Sequence, residues 1–176
     1  NQIITLKPFD DENTSSGRYL VDGWTIKFKL DSDEYLDHSA EIGRRSDAQD
    51  GIDKYDIPFL PPMDNFIALR IDNNQDNNYS YSSDFRSDSD FNGIWNLKVL
   101  STEQSKMQLS SILEGSIPSN MHVSLIDIQT RIIHNQYMSK GILIEQLNGS
   151  RYDLKLVVGD FNYVTEMTEK TLADIP

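Results

Sequence analysis

The chain of 176 residues has no cysteine. That removes disulfides, thiolate metal sites and cysteine nucleophiles together. Basic residues are scarce, with 16 Lys and Arg against 28 Asp and Glu, giving a formal net charge of -12. A nucleic-acid binder needs a basic patch to replace phosphate counterions, so this balance argues against one. Apolar runs are short, and none approaches the roughly 20 residues of a membrane-spanning helix. The first residues lack a basic stretch followed by an apolar one, so the sequence reads as a mature or excised domain without a signal peptide. His-Glu-x-x-His, Gly-x-Ser-x-Gly and phosphate-cradling Gly-rich motifs are all missing. Histidines number three, His38, His122 and His134, at no metal-ligand spacing. A non-catalytic protein is therefore expected.

Aromatic residues make up 10% of the chain, including Trp24, Trp95 and eight tyrosines, enough to build a core. The dominant period is two. Trp24, Ile26, Phe28 and Leu30 alternate with Thr25, Lys27 and Lys29, and Trp95, Leu97 and Val99 alternate with Asn96 and Lys98. Met121, Val123 and Leu125, then Tyr152, Leu154, Leu156 and Val158, repeat the pattern. Alternation sends one set of side chains to a core and the other to solvent. Further strands are expected at 3–6, 66–71, 106–112, 131–134 and 142–145. Asn148-Gly149 predicts a hairpin between the last of these and the Tyr152 strand. Many short strands with polar turns predict an all-β fold, an antiparallel two-sheet β-sandwich of Ig-like or jelly-roll-like form. Residues 1–165 are taken as the sandwich and 166–176 as a linker. Two long loops are expected, over 31–64 and 72–90, with room for a helical turn within 46–55.

These loops hold the candidate site residues. Asp47, Asp50, Asp53 and Asp56 lie close together around Gly51, a density of carboxylates able to wrap a hard cation such as Ca2+. The alternative is a solvated loop whose aspartates cap turns. Asp72, Asn74 and Asp76 open like a calcium loop, but Asn77 stands where such a loop needs glycine and Ser83 where it needs glutamate. Tyr79 and Tyr81, with Phe85 and Phe91 nearby, are candidates to stack on sugar rings. The alternative places these rings over the core. Asn13, Asn78 and Asn148 each open an Asn-x-Ser/Thr acceptor pattern.

The segment Asp50-Gly51-Ile52-Asp53-Lys54-Tyr55-Asp56-Ile57-Pro58, followed by Pro61-Pro62 and a strand, resembles a motif of large exoproteins from Bacteroidetes and related phyla. There an Ala-x-Asp-Gly-x-Asp segment leads into Asp-x-Pro, further prolines and an apolar strand. Ala48 through Asp53 match the opening, and Gly43 matches an upstream glycine. Trp24, Trp95, Leu109, Pro118, Leu125–Asp127 and the closing Leu156-Val157-Val158-Gly159 also fall where the pattern has them. Phe59-Leu60 departs from it, standing in place of a more polar or proline-rich spacer. Ala173-Asp174-Ile175-Pro176 resembles the linker before a C-terminal sorting domain of the type IX secretion system. The resemblance implies an accessory β-sandwich module of a larger polypeptide, on the outer-membrane surface of a Gram-negative bacterium or outside the cell. Its partners would be other domains of the same polypeptide, or a glycan or cell-surface protein. It implies no activity, since such modules accompany enzymes and adhesins alike. Two other roles are weighed beside it: a carbohydrate-binding module, with or without calcium, and a subunit that self-assembles through a sheet edge. Prolines lack an N–H donor, so the proline run is expected to cover an edge or end of the sandwich.

Overall fold

The computed structural model describes residues 23–72, 79–102, 105–134, 140–146 and 151–175. The expected strand at 3–6, the Asn148-Gly149 turn, Asn74, Asp76, Asn77 and the acceptors Asn13, Asn78 and Asn148 lie outside them.

Two six-stranded sheets face each other. The first contains β1 (Gly23–Asp31), β2 (Leu36–Asp37), β3 (Glu41–Arg45), β6 (Ser83–Ser87), β8 (Ser105–Gly115) and β11 (Ile142–Gln146). Its order is β11-β8-β1-β3-β6, with β2 also paired to β1. The second contains β4 (Ile67–Asp72), β5 (Ser80–Tyr81), β7 (Gly93–Ser101), β9 (His122–Asp127), β10 (Ile133–His134) and β12 (Tyr152–Gly159). Its order is β10-β9-β12-β7-β4-β5. Among the described strands the pairings are antiparallel except β3 with β6, which run parallel. The protein is an all-β two-sheet sandwich.

Alternation builds the core as expected. Trp24, Ile26, Phe28 and Leu30 of β1 meet Trp95, Leu97 and Val99 of β7, all fully buried. Burying each such side chain contributes roughly 1.5–3 kcal/mol. Trp24 and Trp95 meet edge to face at 5.9 Å and tie the two sheets together.

Several expectations need correction. Residues 31–64 and 72–90 are not wholly loops, because they supply β2, β3, β5 and β6. Residues 46–55 form turns rather than a helix, closed by Ala48 N–H to Arg45 O and followed by Asp56 N–H to Asp53 O. No hairpin joins β11 to β12: β11 pairs with β8 and β12 with β7 and β9, in opposite sheets. Residues 166–174, read as a linker, are helical and form most of α1 (Phe161–Asp174). Asp160 caps it, its carboxylate accepting from Tyr163 N–H. The helix covers the outer face of β9 and β12, burying Val164 against Ile126 and Val157. Val157, expected on the solvent face, is consequently inside. Asp127 then turns the chain between β9 and β10 by accepting from Gln129 and Thr130 N–H.

Candidate functional site

Residues 46–66 leave the end of β3, double back through the acidic turns and run along β6 and β5 as a strap. Its course is fixed by hydrogen bonds to the sheet. Ser83 of β6 donates its hydroxyl to Tyr55 O at 2.5 Å and accepts from Ile57 N–H at 3.1 Å. Ser82 N–H reaches Ile57 O at 2.7 Å, and Phe59 N–H reaches Ser80 O at 2.9 Å. Pro58, which has no N–H to offer, sits between these bonds opposite Tyr81. The proline run lies against the β5 side of the sandwich.

The four carboxylates proposed for calcium are spent separately. Asp47 accepts from Arg45 Nε at 3.0 Å and from the Tyr55 hydroxyl. Asp50 accepts from Arg44 Nη1 at 3.1 Å. Asp53 accepts from Gln49 N–H and Tyr55 N–H, both at 2.7 Å. Asp56 accepts from Asp53 N–H at 2.7 Å and Phe85 N–H at 3.3 Å. Among the described residues no three acidic or histidine side chains converge as metal ligands. Asp53 and Asp56 cap turns by accepting backbone N–H groups, whereas Asp47 and Asp50 pin arginine and tyrosine side chains.

Electrostatics set Asp56 apart. It is buried at 6% exposure. Burial pushes its carboxyl up to about 6, reinforced by Asp84 and Asp53 and opposed by its two backbone donors. Asp47 behaves oppositely: the Tyr55 hydroxyl and then Arg45 hold it below the usual carboxylate range.

Two buried arginines anchor the surroundings. Arg44 of β3 lies over Trp95 and donates to Ser87 O at 2.7 Å and to Asn92 O as well as to Asp50. Desolvation, followed by repulsion from Arg86, lowers its pKa. Arg86 stacks 4.4 Å from the Trp95 centroid and pairs with Asp84 at 3.0 Å. Arg70 of β4 lies under the ring of Phe59, 3.2 Å from its centroid, and pairs with Asp37 at 3.2 Å. Burial brings Arg70 down to about 10 against the pull of Asp37. Phe59 thus fastens the middle of the strap to the second sheet.

The tyrosine pair does not form a sugar platform. Tyr79 is 62% exposed, whereas Tyr81 is 3% exposed and belongs to the core. Tyr79 stands just before β5 and Tyr81 within it, its ring in the core, so the two rings are not presented together. Phe85 packs on Tyr55 at 6.2 Å, and Phe91 lies against the core. Asp72, the described end of the second acidic loop, is engaged by Lys98 and by the Ser80 hydroxyl.

Arg44, Arg70 and Asp84 escaped sequence reasoning. Each is a charged residue inside a short strand, and the usable signal is an arginine flanked by apolar neighbours, as in Ala68-Leu69-Arg70-Ile71. Comparison with family models, with curated proteins and with solved structures finds no match. No described helix is long and apolar enough to cross a membrane.

Proposed function

We propose that this chain is a non-catalytic structural and interaction module of a larger secreted or cell-surface polypeptide, standing before a type IX sorting domain and contacting its neighbouring domains. The observation that carries this reading is the use made of the acidic segment. Its conspicuous side chains serve the strap itself: Asp53 and Asp56 hold backbone N–H groups, Ser83 joins it to β6, and Asp50 meets buried Arg44. A motif invested in closing an end of a sandwich is what a durable spacer requires. It has the further effect of leaving prolines rather than pairing strands beside β5, which limits edge-to-edge association.

The test is deletion of residues 23–175 from the intact polypeptide in its own cells. Surface presentation is followed by protease shaving of whole cells, and the activity of the remaining domains is measured after lysis. The expected outcome is loss of stable surface presentation with the intrinsic activity of the remainder retained. Unchanged presentation, or turnover of substrate by the isolated chain, would overturn the reading.

A further inference from the structure

The strap encloses a hollow on the outer face of the first sheet that its own closure does not require. It has a volume of about 270 Å³. Its floor is Thr25 of β1 and Ser83 of β6, and its apolar wall is Tyr55, Ile57 and Phe85. Glycine at position 43 makes the wall possible: a Cβ there would stand 2.8 Å from the Phe85 ring, so only a bare backbone lets Phe85 lie across β3.

The charges around the rim are nearly balanced. Lys27 faces Glu41 across the β1–β3 register but bonds Glu114 at 2.8 Å instead. Glu41 is left with no hydrogen-bond or ion-pair partner for its carboxylate among the described residues, although it lines the hollow. Arg45 and Lys54 share the single carboxylate of Asp47, at 3.0 and 3.9 Å. One unmatched negative group and one under-matched positive group therefore look onto the same space. Beneath them Thr25 is 7% exposed, and its hydroxyl makes no hydrogen bond to a described residue. A hydroxyl that lines a cavity can donate to a ligand and accept from it.

Each ligand class meets a different fate here. Phosphate would need surplus positive charge, and Lys27, Arg45 and Lys54 each already face a carboxylate. A metal ion would need converging ligands, which the described residues do not supply. A large cofactor exceeds the volume, since pockets for drug-sized ligands span roughly 300–1,000 Å³. A small neutral ring with one apolar face and several hydroxyls satisfies all the surfaces. Its C–H face would lie on the Phe85, Tyr55 and Ile57 wall, and its hydroxyls would donate to Glu41, bond Thr25 and accept from Lys54. The geometry points to a binding site for a single pyranose ring, formed by the outer face of β1 and β3 with the strap. This goes beyond the role proposed above and does not depend on the neighbouring domains.

The experiment is saturation-transfer-difference NMR on the folded chain with methyl β-D-galactopyranoside, methyl α-D-mannopyranoside and N-acetyl-D-glucosamine as probes. At least one is expected to show transfer to its ring protons with millimolar-range affinity. Glu41→Ala and Thr25→Val should each weaken that binding, by roughly ten- to hundredfold for the charged acceptor. Tyr79→Ala, outside the hollow, should leave it unchanged. Should Thr25→Val fold poorly, Glu41→Ala decides, because its carboxylate supports nothing else among the described residues. The absence of transfer from all three sugars, persistence of binding in Glu41→Ala, or its loss in Tyr79→Ala would overturn the proposal.

Discussion

Asp56 answers two opposing demands. The N–H groups of Asp53 and Phe85 need an acceptor, and the buried position beside Asp84 penalises a charged one. Asp56→Ala leaves both donors unsatisfied and should cost about 1–3 kcal/mol, read from urea denaturation. The pH dependence carries a defined sign. The folded carboxyl titrates at about 6, above its ordinary value of 3.8, so the native state binds the proton more readily than the unfolded chain. The contribution of this group to stability is full below the ordinary value and falls as pH rises through about 6. The stability gap between wild type and Asp56→Ala should narrow from pH 4 to pH 7, and a flat gap would mean that burial does not press on the carboxylate. Asp37 is the converse case. Its loss in Asp37→Ala would strand buried Arg70, costing about 3–5 kcal/mol, measurable as a lower urea midpoint. The sequence made the acidity of the loop plain but not its use. A run of aspartates reads identically whether it faces a cation or the N–H groups of its own turns, and that choice depends on the path of Tyr55 and Ile57 past Ser83. Tyr79 and Tyr81 look alike in sequence for a related reason, because only the pairing of Tyr81 with Ile71 in β5 draws one of them into the core, and Tyr79 stands just before the strand.

At the scale of elements, legibility followed burial. Strands with one apolar and one polar face, such as β1 and β7, were readable from their period of two. β3 and β6 were not, because Arg44, Asp84 and Arg86 occupy the same face as Ile42 and interrupt the pattern. β12 showed its inner face, but the apolar character of Val157 on the other face made sense only once α1 was seen to cover it. That helix was hidden because its buried positions include Thr168 and Thr171 beside Val164, a weak apolar stripe. Its stability accordingly rests heavily on its start. Asp160→Ala removes the cap from Tyr163 N–H and should cost about 0.5–2 kcal/mol, with hydrogen exchange rising first in the opening turn. The parallel pair of β3 and β6 depends on glycine at 43. In Gly43→Ala the added Cβ would lie 2.3 Å from Trp24 O as well as close to Phe85. Such overpacking costs about 1–3 kcal/mol and should lower the melting temperature without changing the strand content seen by circular dichroism.

For the whole molecule the governing quantity is the net charge of -12. Like charges repel across the compact state, and the exposed ion pairs return little: Lys27–Glu114, Lys29–Asp31 and Lys106–Glu145 all lie at solvent-facing positions. The well-buried charges, Arg70 with Asp37 and Arg44 with its carbonyl acceptors, are sheltered from salt. Added salt therefore screens mostly repulsion. Raising NaCl from about 0.01 M to about 0.15 M shortens the Debye length from about 30 Å to about 8 Å, which covers most separations across one face of a sandwich. The melting temperature should rise with salt at neutral pH, by about 2–4 °C for each kcal/mol of repulsion relieved. It should rise less at pH 4, where protonation has already removed part of the carboxylate charge. A fall with salt at neutral pH would mean that the exposed pairs outweigh the repulsion. The sandwich would then be held by its surface as well as by the Trp24–Trp95 contact between its sheets.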